Sequence, residues 1–319
     1  MRTLSLSNGS VLPAIGLGTW KTKRGEAAVA VDAALEAGYR HFDCATIYKN
    51  EAEIGEVFHH WLHSGRIRRE ELFITSKLWN NAHLAKHVRP ALERTLRELQ
   101  LDFLDLYLIH WPVSFSADCD HPKRAEQYLP PDDNRLVATW HAMEKLVRKG
   151  LLRGIGVSNC KRSRLQKIFS AADIKPVVLQ VECHPYLQQR ELLDWCRKNN
   201  VVVTAFAPLG SGDRPENIRN ADVIELLDHP VLQEIAKETG RTPAAAALAW
   251  NLARGTAVIP KSIHPARLQE NLQAASLSLS PSQRERIDQL NCGLRLIDGS
   301  PFCSEKSSYS LDWLWTDTD

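Results

Sequence analysis

Apolar residues along this chain follow two alternating rhythms. Short β-favouring runs occupy AIGLG (14–18), YRHFD (39–43), LFITSK (72–77), LDLYLIH (104–110), LRGIGVSN (152–159), PVVLQVE (176–182), VVVTAFAP (201–208) and TAVIPKS (256–262). Runs of this length, bounded by turn residues, read as buried strands. Between them the apolar positions take a helical spacing. Residues 26–37 are Ala-rich and stop at Gly38, a helix-ending residue; Val88, Leu92, Leu96 and Leu99 form one face of another helix, and Leu192, Leu193 and Cys196 part of a third. Ahead of all this, LSLSNGSVLP places two short runs around Asn8-Gly9, a hairpin signal. Eight strands alternating with helices predict an α/β fold with a parallel sheet, and eight repeats predict a closed (β/α)8 TIM barrel.

The chain has 319 residues, more than the roughly 250 of a plain barrel. The excess is expected in the N-terminal hairpin, in the segment 113–135 (rich in Pro, Asp and Ser) and in a tail over residues 291–319. No low-complexity linker divides the chain, so residues 1–319 are expected to form one barrel domain. Hydrophobic residues make up 44% of it, which suffices for a large core. The net charge is only +2 with both signs interspersed, which argues against a nucleic-acid or membrane surface. No apolar run approaches the roughly 18 residues of a membrane span, and MRTLSLSNGSVLP has no leader-like apolar stretch. A cytoplasmic, soluble protein is the expectation. The 7 cysteines are scattered without a Cys-x-x-Cys, so neither a disulfide framework nor a structural zinc site is expected. Cys303, in the polar tail, is the candidate for exposure.

Active sites of such barrels lie where the strands end. The residues closing the runs are Asp43, Lys77, His110, Ser158-Asn159, Gln180, Phe206 with Pro208 beyond, and Lys261-Ser262, with Tyr48 in the loop after Asp43. Four of these form a chemical set. A phenol with a pKa near 10 is a poor proton donor at neutrality. An adjacent ammonium favours its ionised form, and a carboxylate would hold that ammonium in place. Asp43, Lys77 and Tyr48 could make such a relay, with His110 donating a hydrogen bond to a substrate oxygen. The set suits proton delivery to a carbonyl and needs neither metal nor nucleophile.

GYRHFDCATIYKNEAEIG (38–55) resembles the signature of the aldo-keto reductase superfamily, G-x-R-x-x-D-x-A-x-x-Y-x-x-E-x-x-I-G, at Gly38, Arg40, Asp43, Ala45, Tyr48, Glu51, Ile54 and Gly55. LIHWP, GIGVSN, VECHPY, APLG and VIPKS resemble that family's further blocks, in its order, from about Leu4 to near Leu290. The resemblance implies NADPH-dependent reduction of aldehydes and ketones by a monomeric, aldose reductase-like barrel. Tyr48 would be the proton donor, assisted by Lys77 and Asp43, with His110 orienting the carbonyl. The family's double-bond reductases carry Glu in place of His110, which favours carbonyl reduction here.

By the same resemblance Ser158, Asn159 and Gln180 would hold the nicotinamide carboxamide, and Phe206, where many members have Tyr, would stack on the ring. Gly18, Thr19, Trp20 and Asp43, the turn Ala207, Pro208, Leu209, Ser211 and Asp213, and Glu270 with Asn271 would complete the cofactor site. Trp20, Tyr48, Trp79, His110, Trp111 and, from the tail, Trp313 would wall the substrate pocket. Lys261, Ser262 and Arg267 surround the start of a helix in KSIHPARLQEN, and a helix N-terminus flanked by two cations suits the adenosine 2′-phosphate. His264 lies in the same block, either near that phosphate or in solvent.

Rival patterns are weaker. GIGVSN lacks the third glycine of a dinucleotide fingerprint, and its glycines lie inside the strand. His59/His63 and His83/His87 are i, i+4 pairs able to share a metal, but neither sits in HExxH, so both read as solvated helix faces. There is no G-x-S-x-G elbow. Trp140 and Trp250 fall in helical patterns as core residues. A metal-dependent barrel hydrolase lacks paired ligands at strand ends, and a non-catalytic partner subunit lacks a docking extension.

Overall fold

The computed structural model of the chain describes residues 2–212 and 224–317. A two-stranded hairpin, β1 (Thr3–Ser5) and β2 (Val11–Pro13), precedes eight parallel strands: β3 (Leu17–Gly18), β4 (His41–Asp43), β5 (Phe73–Leu78), β6 (Leu104–Ile109), β7 (Leu152–Ser158), β8 (Val178–Glu182), β9 (Val202–Phe206) and β10 (Ala257–Val258). Each pairs with the next in chain order. The sheet then closes: Ile15 bridges Val258 in parallel, Gly16 N–H donates to Val258 O at 2.9 Å and Val258 N–H to Ala14 O at 2.8 Å. The architecture is the (β/α)8 barrel that the apolar rhythm predicts.

The helices are α1 (Glu26–Ala37), α2 (Glu51–His63), α3 (Ala85–Leu99), α4 (Asp133–Arg148), α5 (Arg162–Ala171), α6 (Arg190–Lys198), α7 (Pro230–Thr239), α8 (Pro243–Ala253), α9 (Pro265–Gln273), α10 (Pro281–Asp288) and α11 (Leu311–Trp315). α1 stops because Gly38 takes φ 99°, which lets its N–H cap the carbonyls of Ala34 and Leu35. α7 and α10 lie outside the eight-fold count, joined by Arg286 to Glu238 at 2.7 Å. They are a fourth home for the excess length, beyond the three expected. Trp140 and Trp250 are buried in the core, as their spacing predicts. Of the cysteines, Cys292 is exposed, whereas Cys303 packs into an aromatic cluster at the barrel mouth. The tail folds back over Cys303 and leaves it half-buried.

The hairpin plugs the barrel floor, with Leu6 and Leu12 against Phe73, Leu106 and Val178. Beside it Asp105, buried, accepts from Arg69 at 2.8 Å, Arg153 at 3.0 Å and the Ile74 amide at 2.9 Å. A second buried acid, Glu51, stands in the first turn of α2 against β5 and α3. It accepts from the hydroxyls of Ser76 and Thr95 and, among the described residues, has no cation within ion-pair distance. Burial lifts its pKa from 4.5 to about 7, against the pull of those two hydroxyls. A folded-state pKa raised this way makes the ionised form cost stability. The cost is absent below pH 4.5, grows through the interval and is complete above about 7. Glu51→Gln keeps the shape without the charge, and a shift of this size is worth about 3 kcal/mol. The melting temperature of the variant relative to wild type should therefore rise by at least about 4 °C between pH 5 and pH 8 in thermal melts. A difference independent of pH would show that Glu51 does not titrate in this window.

Candidate active site

Strand register gathers the polar strand ends into one ring. Gly18 lies opposite Asp43, Asp43 opposite Thr75, and Lys77 opposite Leu108. Lys77 is two residues beyond Thr75 and His110 two beyond Leu108, and side chains two apart share a face. Each strand thus lifts its polar residue one step higher toward the mouth. Across the barrel Ser158 lies opposite Gln180, and Glu182 opposite Phe206.

In that ring the Lys77 ammonium donates to Asp43 Oδ1, to Cys44 O at 2.9 Å and to the Tyr48 hydroxyl at 3.4 Å. The other Asp43 oxygen accepts from Gln180 Nε2 at 2.6 Å. Tyr48, in the turn Thr46–Tyr48, stands edge-on to His110 with ring centroids 5.7 Å apart. Burial disfavours the Lys77 cation, but Asp43 and Tyr48 outweigh it, and its pKa rises. For Tyr48 the balance tips the other way. Burial pushes the phenol up to about 12, and the opposing pull of Lys77 only reduces the rise. The ammonium acts with the expected sign, yet desolvation wins and the hydroxyl holds its proton. Burial, then Lys77 and His83, hold His110 well below 6.5 as a neutral imidazole.

The expected cofactor residues line the same rim. Thr19 donates its hydroxyl to Asp43 O at 2.9 Å, and Asn50 Nδ2 donates to Thr19 O at 2.9 Å. Trp20 is exposed beside Tyr48, ring centroids 6.5 Å apart. Gly18 has no room for a side chain, since a Cβ would stand 2.7 Å from Ile259 O. Gly156, inside β7, would bring a Cβ within 2.3 Å of Val178 O, so the glycines of GIGVSN serve strand packing. Asn159 takes φ 56° and donates to His110 O at 2.9 Å, while its Oδ1 is buried without a hydrogen-bond partner. Phe206 ends β9, followed by Ala207 at φ 46°, Pro208 and Leu209, with Gly210 N–H returning to Ala207 O at 3.0 Å. Lys21 Nζ donates to Ser211 Oγ at 3.3 Å, which ties the loop after β3 to the loop after β9. Asp213 lies outside the described residues.

At β10 the strand gives way to Lys261, partly buried, and Ser262, buried, whose hydroxyl accepts from His264 N–H at 3.1 Å. His264 is exposed at the N-cap of α9, and Arg267 is exposed in its first turn. Asn271 is buried on that helix, and Glu270 accepts from the Thr242 hydroxyl at the start of α8.

Aromatic rings from the strand ends and the tail meet beside His110. Trp79 stands edge-on to His110 at 5.1 Å, Trp111 is buried beside it in the same cluster, and Phe302 meets both, at 6.2 and 5.0 Å between ring centroids. Trp313 instead lies between Tyr309 and Arg164, whose guanidinium is 3.9 Å from its ring centre. Phe302 and Trp315 are thus the tail rings that meet Trp111, the latter at 6.0 Å between centroids. Tail spacing alone marks SLDWLW as apolar but not which ring turns inward.

Three anchors went unread in the sequence. Glu182, fully buried, accepts from Leu296 N–H at 2.7 Å, Ile297 N–H at 2.8 Å and His184 Nε2 at 2.8 Å. Arg164 donates to Asp133 at 2.8 Å and to Trp313 O at 3.1 Å. Asp120, in the loop after β6, receives Lys49 and Asn81 on its carboxylate and Trp79 Nε1 on its carbonyl. The Glu182 signal was available as an acid closing an apolar run; the other two carry no pattern.

The histidine pairs are not both solvated faces. His59 and His63 stack at 3.7 Å on α2, but His83 is buried before α3 and bonds Ser114 at 3.0 Å, because Ser114 in the long loop folds onto it. Among the described residues no three His, Cys, Asp or Glu side chains cluster as metal ligands, and no helix is long and apolar enough to cross a membrane.

A profile of the Aldo/keto reductase family matches residues 14–292. The chain is 48% identical over 315 residues to an aldo/keto reductase of Synechocystis, covering 99% of this chain and 96% of that one. It is 45% identical over 294 residues to human aldo-keto reductase family 1 member A1, covering 92% and 90%. Among solved structures, the aldose reductase of Schistosoma japonicum superposes with a TM-score of 0.86 at 40% identity, covering 94% of this chain and 96% of that one. The protein belongs to the aldo/keto reductase family, as an oxidoreductase acting on carbonyl and CH–OH groups.

Proposed function

We propose that the protein reduces aldehydes and ketones with NADPH, and that Tyr48 delivers the proton. The observation that carries this is the protonated Tyr48 hydroxyl, 3.4 Å from a buried ammonium and edge-on to a neutral imidazole. A buried phenol surrenders its proton only as negative charge develops on a nearby oxygen. The Lys77 cation stabilises the phenolate left behind, and Asp43 keeps that cation in place. Neutral His110 offers one N–H to the carbonyl oxygen, which polarises it without competing as an acid.

The residues present fit the cofactor. The orphaned Asn159 Oδ1 suits an amide donor such as the carboxamide N–H2, with Ser158 and Gln180 beside it. Phe206 offers a ring face, and Lys261, Ser262 and Arg267 offer charge and donors for the 2′-phosphate. When bound, NADPH supplies the hydride. Gly18, Thr19, Trp20, Leu209, Ser211, Glu270 and Asn271 complete the groove. Trp20, Trp79, Trp111 and Phe302 exclude water from the carbonyl and select substrates by shape. We assign the whole chain to one domain acting as a cytoplasmic monomer on small carbonyl compounds.

Tyr48→Phe should remove more than nine-tenths of kcat while NADPH affinity, read by fluorescence quenching, stays within about threefold. Retention of a tenth of the activity would end the proton-donor assignment. Arg267→Ala loses one charge-assisted contact, on the order of 1.5–3 kcal/mol. NADPH should bind roughly 10- to 150-fold more weakly and NADH nearly as before; equal losses would mean that Arg267 does not read the 2′-phosphate. Glu182→Gln leaves one tail amide short of an acceptor, worth about 1–3 kcal/mol. KM for a bulky aromatic aldehyde should rise about tenfold while kcat for a small aliphatic aldehyde changes less than threefold. Identical KM values in variant and wild type would show that Glu182 does not position the tail.

A further inference from the structure

We propose a second anion site, separate from the cofactor groove, that takes a small phosphate- or carboxylate-bearing ligand beneath the C-terminal tail. A cavity of about 370 Å³ opens between the amino ends of α5 and α6, with Arg295, Trp315 and Asp317 of the tail on its far side. It is distant in the barrel order from Lys261 and Arg267, which belong to β10 and α9.

Among the described residues four cations line it, Lys161, Arg162, Arg190 and Arg295, against two acids, Glu191 and Asp317. The cations are satisfied largely by neutral groups. Lys161 donates to Thr316 O at 2.6 Å, and Arg190 to Asp288 O at 2.7 Å and Gln188 Oε1 at 3.0 Å. Arg295 lies flat on Trp315, 3.6 Å from the ring centre, and its Nη1 is buried without a hydrogen-bond partner. Among the described residues the ion contact within 4 Å on these four is Arg162 with Asp317, at 3.9 Å. Burial, with too little opposing charge, lowers the pKa of both Lys161 and Arg295. Arg295 is the most withdrawn from water of the four, Arg190 is exposed and the others half-buried, and an anion brought among them would gain from all four.

The backbone adds to this. α6 begins at Gln189 with no side-chain cap on its first-turn amides. At α5 the equivalent place is taken by the chain itself: Ser163 N–H donates to Asp317 Oδ1 at 3.0 Å. The chain's own carboxylate thus already sits at the edge of the site, and an external dianion would compete with it. Because the displaced group belongs to the tail, binding there couples to the tail's position over the barrel mouth.

The test is isothermal calorimetry of inorganic phosphate, glycerol 3-phosphate and citrate against the NADPH-saturated protein, with Arg267→Ala as a parallel background. One saturable site is expected, and the tightest of the three ligands distinguishes free phosphate, phosphate ester and carboxylate as the source. Lys161→Gln and Arg190→Gln should each weaken binding about tenfold, the loss of one charge-assisted contact. Asp317→Asn should tighten it, a sign that general loss of structure does not produce. Turnover of a small aldehyde should stay within twofold in all three. No saturable heat, or unchanged affinity in Lys161→Gln and Arg190→Gln, would overturn the proposal. So would heat that NADPH or Arg267→Ala abolishes, since that assigns the anion to the cofactor groove.

Discussion

The buried Lys77–Asp43 pair is the contact around which the rim is arranged. An ammonium taken out of water costs several kcal/mol unless a counter-charge and hydrogen bonds replace the solvent. Here the replacements come from two strands: Asp43 from β4 with the Cys44 carbonyl just beyond it, and Gln180 of β8, which holds the second Asp43 oxygen. Parallel register sets these heights, so the pair exists only when the barrel is closed and correctly staggered. Thr19, on the first strand's exit, then hangs on the Asp43 carbonyl. The position of Tyr48 follows from the same ammonium. Desolvation raises its pKa to about 12, against the pull of the cation 3.4 Å away.

The same physics recurs in the segments laid over the barrel. Glu182, Arg164 and Asp120 are single charged groups that each gather several backbone or side-chain partners from chain far away in sequence. Glu182 fixes residues 296–297, Arg164 fixes the end of the tail, and Asp120 joins the long loop to Lys49, the neighbour of Tyr48. Glu182 and Arg164 are buried, so breaking one of their contacts leaves the others unsatisfied, which makes the tail's place definite even though its own helix has only five residues. The polar ring thus sits on strand ends, while the segments over it are appended and held by a few charged contacts.

Two balances of opposing terms carry the electrostatics. At Lys77 a counter-ion outweighs burial, and at Tyr48 burial outweighs a cation. The difference is geometric. Lys77 touches its carboxylate directly, whereas Tyr48 meets the ammonium at the limit of a hydrogen bond. Glu51, with hydroxyls but no cation, shows what burial does when nothing opposes it by charge.

By itself the sequence determined the barrel, because a strand buried on both faces and a helix buried on one leave distinct apolar periods that no distant contact is needed to read. It determined the rim chemistry too, since each apolar run ends in the residue that the strand's alternation must turn inward, as at Asp43, Lys77 and His110. Two helices, α7 and α10, escaped because they pack on each other outside the repeat. The tertiary structure alone decided where the tail rings pack: Trp313 lies on Arg164, whereas Phe302 and Trp315 meet Trp111. It also decided the raised pKa of Tyr48, the burial of His83 and the partial cover over Cys303. Those depend on how much chain folds back over a residue, and composition along the chain does not record such long-range closure.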